Sequence, residues 1–212
     1  MSTTRAPDTE KDAMGAAAKT RARILEASYE VFAERGYHAA KISDIADKLH
    51  MSHGTFYRYF RNKLDIFSTV IDGVVQMLAG VFTDELPDAP DTLEEYHDQL
   101  VRIGRKLYEL MMGSPQLSRL LFYESLGIDE EINEKIKRGF ELFGMATAAY
   151  LKNGVEKGFL REDLVIEETA FALNAILLEG ARRISLAEDP EVAYEKWTKA
   201  LVDLMLEGMA SP

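Results

Sequence analysis

Residues 42–64 read ISDIADKLHMSHGTFYRYFRNKL, and this stretch decides the fold. Ile45, Ala46 and Leu49 recur at helical spacing and form the inner face of one short helix, which Ser43 can cap. Ser52 can cap a second, from Gly54 to Phe60, with Phe56 and Phe60 turned inward. The connection between them is only about three or four residues long. Outside the two apolar faces remain Ser52, His53, Gly54, Thr55, Tyr57 and Tyr59, with Arg58, Arg61 and Lys63 beside them. Two tyrosines on a short polar helix are poor core choices and good hydrogen-bond donors. From Lys41 to Lys63 five Lys and Arg stand against two Asp, the most basic stretch in the folded part of the chain.

Working outward, Ile24, Ala27, Ser28, Val31 and Phe32 make one face of a preceding helix. Gly36 stops it, because only Gly enters the left-handed conformation cheaply. Residues 1–18 lack apolar periodicity and read as a flexible N-terminal tail. On the other side Asn62, with Asp65 three residues later, resembles a capping box and opens a fourth helix to about Phe82. After a loop rich in Pro and Asp, Asp84 to Asp91, the stripe Leu93, His97, Leu100, Gly104, Leu107 and Met111 marks a fifth helix. Pro115 starts a shorter one, with Leu117, Leu120, Leu121 and Glu124 on one face. A long helix follows from about Asp129 to Lys157, ended by Gly158. Thr169 to Leu178 is apolar almost throughout, and Asp189 and Pro190 cap and start the last helix. The spacing is three and four everywhere, which predicts an all-α chain of about nine helices. Its expected organisation is a tail over 1–18, a three-helix head over 19–64 and a larger helical body over 65–212.

Composition narrows the function. At 212 residues, 47% hydrophobic and 29% charged, the chain can bury a core and is no disordered segment. The absence of Cys excludes disulfide scaffolds, Cys-ligated zinc, iron–sulfur clusters and thiol nucleophiles. No run approaches about 18 consecutive apolar residues, and Met1 to Thr20 lacks the apolar block of a signal peptide. A soluble cytoplasmic protein with no membrane partner is expected. The net charge of -11 argues, taken whole, against a polyanionic partner. It is unevenly spread: residues 1–64 hold 11 Lys and Arg and 8 Asp and Glu, a balance of +3, and the rest carries -14. A basic head on an acidic body implies two functions in one chain.

Two short helices joined by a tight turn and buttressed by a longer one form a helix-turn-helix, whose second helix enters a DNA major groove. Residues 42–64, preceded by Arg23-Ile24-Leu25-Glu26-Ala27 and Phe32-Ala33-Glu34-Arg35-Gly36-Tyr37, resemble the DNA-binding signature of the TetR family of bacterial transcriptional regulators. The resemblance covers about residues 19–68. It implies that Ser52, His53 and Thr55, with Gly54 among them, face bases or nearby backbone, and that Tyr57 binds a phosphate. It implies a phosphate-binding role for Lys63, and it puts Lys41 and Ser43 where the second helix meets the DNA backbone. The chain departs from the family at several positions. His50 stands at the turn where Gly is usual, Leu49 replaces a small residue, Lys41 replaces a common Thr, and Tyr59 stands where His is common. His tolerates positive φ better than most residues, so the turn can still form.

A body carrying -14 cannot track DNA, but it can dimerise and hold a small molecule. The two last helices carry more apolar surface than one core contact needs, and pairing them with their copies makes a four-helix interface. The expected interface residues are Leu173, Leu177, Ile184, Trp197, Leu201, Leu204 and Met205, giving a homodimer on a near-palindromic double-stranded operator. His97, Glu124 and Asn174 interrupt otherwise apolar faces and need partners or a ligand. An effector pocket is expected from these three with Met77, Leu107, Tyr108, Met111, Phe122, Tyr123, Phe143 and Tyr150. The whole reads as a repressor released by a small, largely apolar effector of unknown identity; an activator, or a constitutive repressor without effector, stays open. No Gly-rich phosphate loop, GxSxG or HExxH occurs, so no enzyme is expected. The remote alternative, a helical-bundle metalloenzyme, has one Glu-x-x-His at Glu94 and His97 and lacks a second. His50 and His53 lack a third ligand, so neither metal nor cofactor is expected.

Overall fold

The computed structural model of the chain describes residues 7–113, 120 and 127–210. These form eight helices and no strand: α1 Pro7–Ala39, α2 Ile42–Lys48, α3 His53–Tyr57, α4 Lys63–Gly80, α5 Leu93–Gly113, α6 Glu130–Glu156, α7 Ile166–Ser185 and α8 Pro190–Met209. The short helix expected from Pro115 falls on residues outside those described. Helix α1 begins at Pro7, within the segment that composition alone reads as a tail. It breaks at Gly36, whose φ of 75° is the left-handed stop that the sequence calls for.

Local chemistry sets the ends. Helix α2 starts one residue before Ser43: Lys41 is its N-cap, and the Lys41 N–H donates to the Asp44 carboxylate at 2.8 Å. Asp44 can serve there because Arg35 of α1 also holds it, at 3.0 Å. The turn into α3 passes through His50 at φ 52°, the described non-glycine residue with positive φ, so the His at the usual Gly position takes up the glycine conformation. Ser52 caps α3 by accepting the Thr55 N–H at 3.2 Å. Asn62 accepts the Asp65 N–H at 2.8 Å ahead of α4, and the Asp65 carboxylate accepts the Arg61 N–H at 2.8 Å. Asp129 and Asp189 cap α6 and α8, and Gly158 at φ 79° follows α6.

The chain divides into two compact units, Met1–Asp72 and Gly73–Pro212. The boundary lies inside α4 rather than at its start because Ile66, Phe67, Val70 and Ile71 are buried. In the first unit these join Ile24, Val31, Phe32, Ile45, Phe56 and Phe60, with Phe67 edge-on to Phe32 at 4.9 Å and tilted on Tyr37 at 4.8 Å. In the second unit α6 packs on α7, α7 on α8, and α5 on both α7 and α8. Its core gathers Tyr96, Tyr150, Leu151, Leu160, Ala170, Leu173, Leu201, Met205 and Met209.

Candidate nucleic-acid interface and ligand cavity

In the first unit α3 is anchored by one side and bare on the other. Phe56 and Phe60 are fully or almost fully buried, while His53, Gly54, Arg58 and Tyr57, the last 53% exposed, face solvent. Such an arrangement presents donors and small groups outward on a helix whose apolar side cannot rotate away. Gly54 has open space: a methyl group there would meet nothing nearer than Ser52 Oγ at 3.8 Å. Nothing in the fold requires a glycine at that point, although Gly costs a helix roughly 0.5–1 kcal/mol relative to Ala. Ser52 and Thr55 are engaged with each other, their hydroxyls 3.0 Å apart, so both are held in place beside His53. Ser43 is half-buried on α2, Lys41 is exposed at its cap, and Tyr59 is half-buried beyond the end of α3.

Lys63, expected at a phosphate, has partners within the chain. Its ammonium donates to the carbonyls of Tyr37 at 2.8 Å, Ala40 at 3.0 Å and His38 at 3.3 Å, and lies 4.5 Å from the Tyr37 ring centroid. Three donors meet three acceptors. The reason is local: α1 ends here, its last carbonyls lack helical partners, and a cation at a helix C-terminus satisfies them and the dipole together. Lys63 therefore ties the start of α4 to the end of α1. Lys63→Ala is expected to lower stability by about 1–2 kcal/mol, as charged hydrogen bonds of this kind contribute. The slope of log K against log salt for DNA binding should stay unchanged, whereas loss of a phosphate contact would reduce it by about one unit. Urea unfolding and a salt titration read the two separately.

The second unit encloses a cavity of about 110 Å³. One water needs only about 10–15 Å³ on such a measure. The walls come from the end of α4 with Val81 and Phe82, from α5, α6, α7 and α8. Of the expected pocket residues, Leu107, Tyr108, Met111, Phe143 and Tyr150 line it. Met77 does not and is 38% exposed; His97 is likewise off the wall, exposed, with its ring 3.1 Å from Asp98. Asn174 is buried behind the wall, where its Oδ1 accepts from Thr147 at 2.8 Å. Phe122, Tyr123 and Glu124 lie outside the described residues.

The expected interface residues turn out mostly to face inward. Leu173, Leu177, Ile184, Trp197, Leu201 and Met205 all line the cavity, and four of them are nearly buried within the single chain. Their periodicity is that of a helix facing apolar space, and the space is the chain's own. Only Leu204, 63% exposed, projects outward. Trp197 sits against Gly180 of α7 so closely that a Cβ there would lie 2.1 Å from the indole nitrogen, which explains the glycine.

Sequence reading missed Phe82, Tyr96, Ile103, Thr147 and Tyr194 as wall residues. Among the described residues the lining carries no Asp, Glu, Lys, Arg or His. Its polar atoms are hydroxyls, the Trp197 N–H and backbone; Trp197 Nε1 and Asn174 Nδ2 are buried without a partner among the described residues. No group of three His, Cys, Asp or Glu that could hold a metal ion occurs among the described residues, and no described helix is long and apolar enough to cross a membrane. The described wall suits an apolar body.

Comparison with known proteins bears on both units. Residues 24–70 match the family described as bacterial regulatory proteins, tetR family. The chain is 26% identical over 142 residues to the fatty acid metabolism regulator protein of Bacillus subtilis, covering 67% of this chain and 71% of that one. It is 29% identical over 159 residues to an HTH-type transcriptional repressor of Streptomyces coelicolor, covering 74% and 76%. Among solved structures, the transcriptional regulator FadR of Bacillus subtilis in complex with stearoyl-CoA superposes with a TM-score of 0.73 at 22% identity, over 88% of this chain and 97% of that one. A transcriptional regulator from Saccharomonospora viridis in complex with choline superposes at 0.75 and 21%, over 92% and 100%.

Proposed function

We propose that this chain, a DNA-binding transcriptional regulator of the TetR family, is a homodimeric repressor released from a palindromic operator by a largely apolar small molecule. Regulation of transcription, not catalysis, is the activity of its relatives. The observation that carries the ligand half is the uncharged, aromatic-rich cavity among α4 to α8. An acyl chain fits such a wall better than a compact ion does, since no described wall side chain can pair with a charge. The relative that regulates fatty acid metabolism and the likeness to a stearoyl-CoA complex support that choice.

On the DNA side, His53, Gly54, Thr55 and Tyr57 form the reading face of α3, with Ser52 holding its start. Lys41, Ser43 and Tyr59 flank it toward the phosphates, and Lys63 sets the angle of α4 on α1. One five-residue helix contacts few base pairs, so two copies one DNA turn apart supply the affinity. The second copy joins at the outward side of α7 and α8, where Ala172, Ala175, Ala200 and Leu204 are exposed. Small residues there allow two helix pairs to approach closely.

Selection of bound fragments from genomic DNA, followed by footprinting, tests this reading. The expected footprint is a near-palindrome with half-sites about 34–36 Å apart, centre to centre, or a multiple of that. Protection without sequence preference or symmetry would refute it.

A further inference from the structure

Tyr150 belongs to two structures at once. Its ring is on the cavity wall, 96% buried by its 4% exposure and 6.1 Å from the ring of Phe82. Its hydroxyl leaves the cavity and donates to the backbone carbonyl of Glu85. Burial, with the Glu85 charge adding to it, pushes that hydroxyl up to about 12, so it remains a donor.

Glu85 sits just past the end of α4, where its own N–H donates to the Phe82 carbonyl at 3.1 Å. Its carboxylate is buried and clasped by two cations of α5, Arg102 at 3.1 Å and Lys106 at 3.0 Å. Burial raises the carboxyl and the two ion pairs outweigh it, leaving it ionised. Glu85 is therefore held to α5 by its side chain and to α6 by the Tyr150 hydroxyl, while Gln99 of α5 donates to the Leu86 carbonyl and Asn153 and Lys157 of α6 donate to the Pro90 and Asp88 carbonyls further along. Of these polar ties, only the Tyr150 hydroxyl belongs to a residue that lines the cavity.

Taking the cavity as the effector site, as the preceding reading does, we infer that the Tyr150 hydroxyl on the Glu85 carbonyl is the latch that passes cavity occupancy to α4. An occupant that fills the space beside Phe82 turns the Tyr150 ring, and the hydroxyl leaves Glu85. The backbone at Glu85 then loses its tie to α6, leaving the Phe82 ring against Phe143 and the Asn153 and Lys157 bonds further along the loop. Helix α4 contains residues of both compact units, so a change at its end is a change in the element that runs to Lys63.

A ligand shifts an equilibrium only by its differential affinity for two states, and the latch supplies that difference. Tyr150→Phe keeps the ring and deletes the hydroxyl. The variant should bind operator about tenfold more weakly than wild type without ligand, and stearoyl-CoA should weaken it by no more than about twofold further. Ligand affinity should rise, by up to about tenfold, because no latch has to open before the ligand binds. A second route avoids dependence on any ligand: Ala181→Phe or Leu177→Phe fills the cavity from its wall with the protein's own side chain. Either should weaken operator binding about tenfold in the wild-type background and leave Tyr150→Phe unchanged, a coupling read from the double-mutant cycle. A purely structural Tyr150 would lower the melting temperature and leave that coupling intact. Full release of Tyr150→Phe by stearoyl-CoA, or additive effects of the filling substitutions, would overturn the latch. Failure of stearoyl-CoA to bind wild type would count against the acyl ligand, while the filling cycle would still decide the latch.

Discussion

Leu201→Glu is expected to unfold the second unit near room temperature, whereas Leu204→Glu, three residues on, leaves the fold intact and separates the proposed dimer. Both residues stand on α8 and both look alike to a helical wheel. Leu201 is 8% exposed, in the core cluster and on the cavity wall; Leu204 is 63% exposed. Truncating a buried Leu already costs about 2–5 kcal/mol. Putting a carboxylate in its place adds the cost of a charge facing a wall with no cation to meet it. Against a total stability of about 5–15 kcal/mol, that loss is large. At Leu204 the carboxylate stays in water in the single chain, so circular dichroism should give a wild-type spectrum and melting curve at dilutions where wild type is monomeric. Light scattering should then give half the wild-type mass at micromolar concentration, and operator affinity should fall with it. A persistent Leu204→Glu dimer would move the interface to another face.

The second large effect concerns Gly54. Gly54→Leu should lower operator affinity about a hundredfold, and Gly54→Ala about tenfold, with neither destabilising the fold. Two effects of opposite sign act at this position. Within the chain a Cβ at Gly54 meets only open space, and Ala is the better helix residue by roughly 0.5–1 kcal/mol. At a close contact with a groove edge, an inserted methyl group or more costs about 1–3 kcal/mol in displacement, and 1.4 kcal/mol is tenfold in affinity. Urea unfolding and fluorescence anisotropy on labelled operator separate the two effects. A variant that unfolds earlier and binds normally would mean that the glycine serves the fold, not the DNA.

The head was legible because its signals are local. Gly36 before Tyr37, Ser52 three residues before Thr55, and a His at a turn needing positive φ each bear on the backbone within a few residues, and the structure shows all three in those roles. Where the partner lies far along the chain, nothing local announces it. Lys63 binds carbonyls 23 to 26 residues earlier, and a cation in a basic stretch gives no hint of that. The same applies to the body. Periodicity identified the apolar faces of α7 and α8, but it cannot tell a face that meets a second copy from one that meets the chain's own cavity, and six of the seven expected interface residues are on the cavity wall. Polar residues on apolar stripes were poor guides as well: His97 reaches solvent and Asn174 bonds to Thr147. Of the wall residues that were missed, Phe82 lies past the end of α4, and Tyr96 and Ile103 border the α5 stripe without belonging to it.

The charge split now has a structural counterpart. The bare, basic-flanked face of α3 belongs to the first unit, and the cavity, without a charged side chain among its described lining, to the second.

The account rests on one coupling, between occupancy of the cavity and affinity for the operator. The direct measurement is the dissociation constant of the intact protein for its selected operator, with and without saturating stearoyl-CoA, beside calorimetric binding of the same ligand to the free and the DNA-bound protein. Linkage requires the two ratios to be equal. The prediction is a loss of operator affinity of tenfold or more, matched by an equal loss of ligand affinity on DNA. Stoichiometric ligand binding with an unchanged operator constant would contradict it.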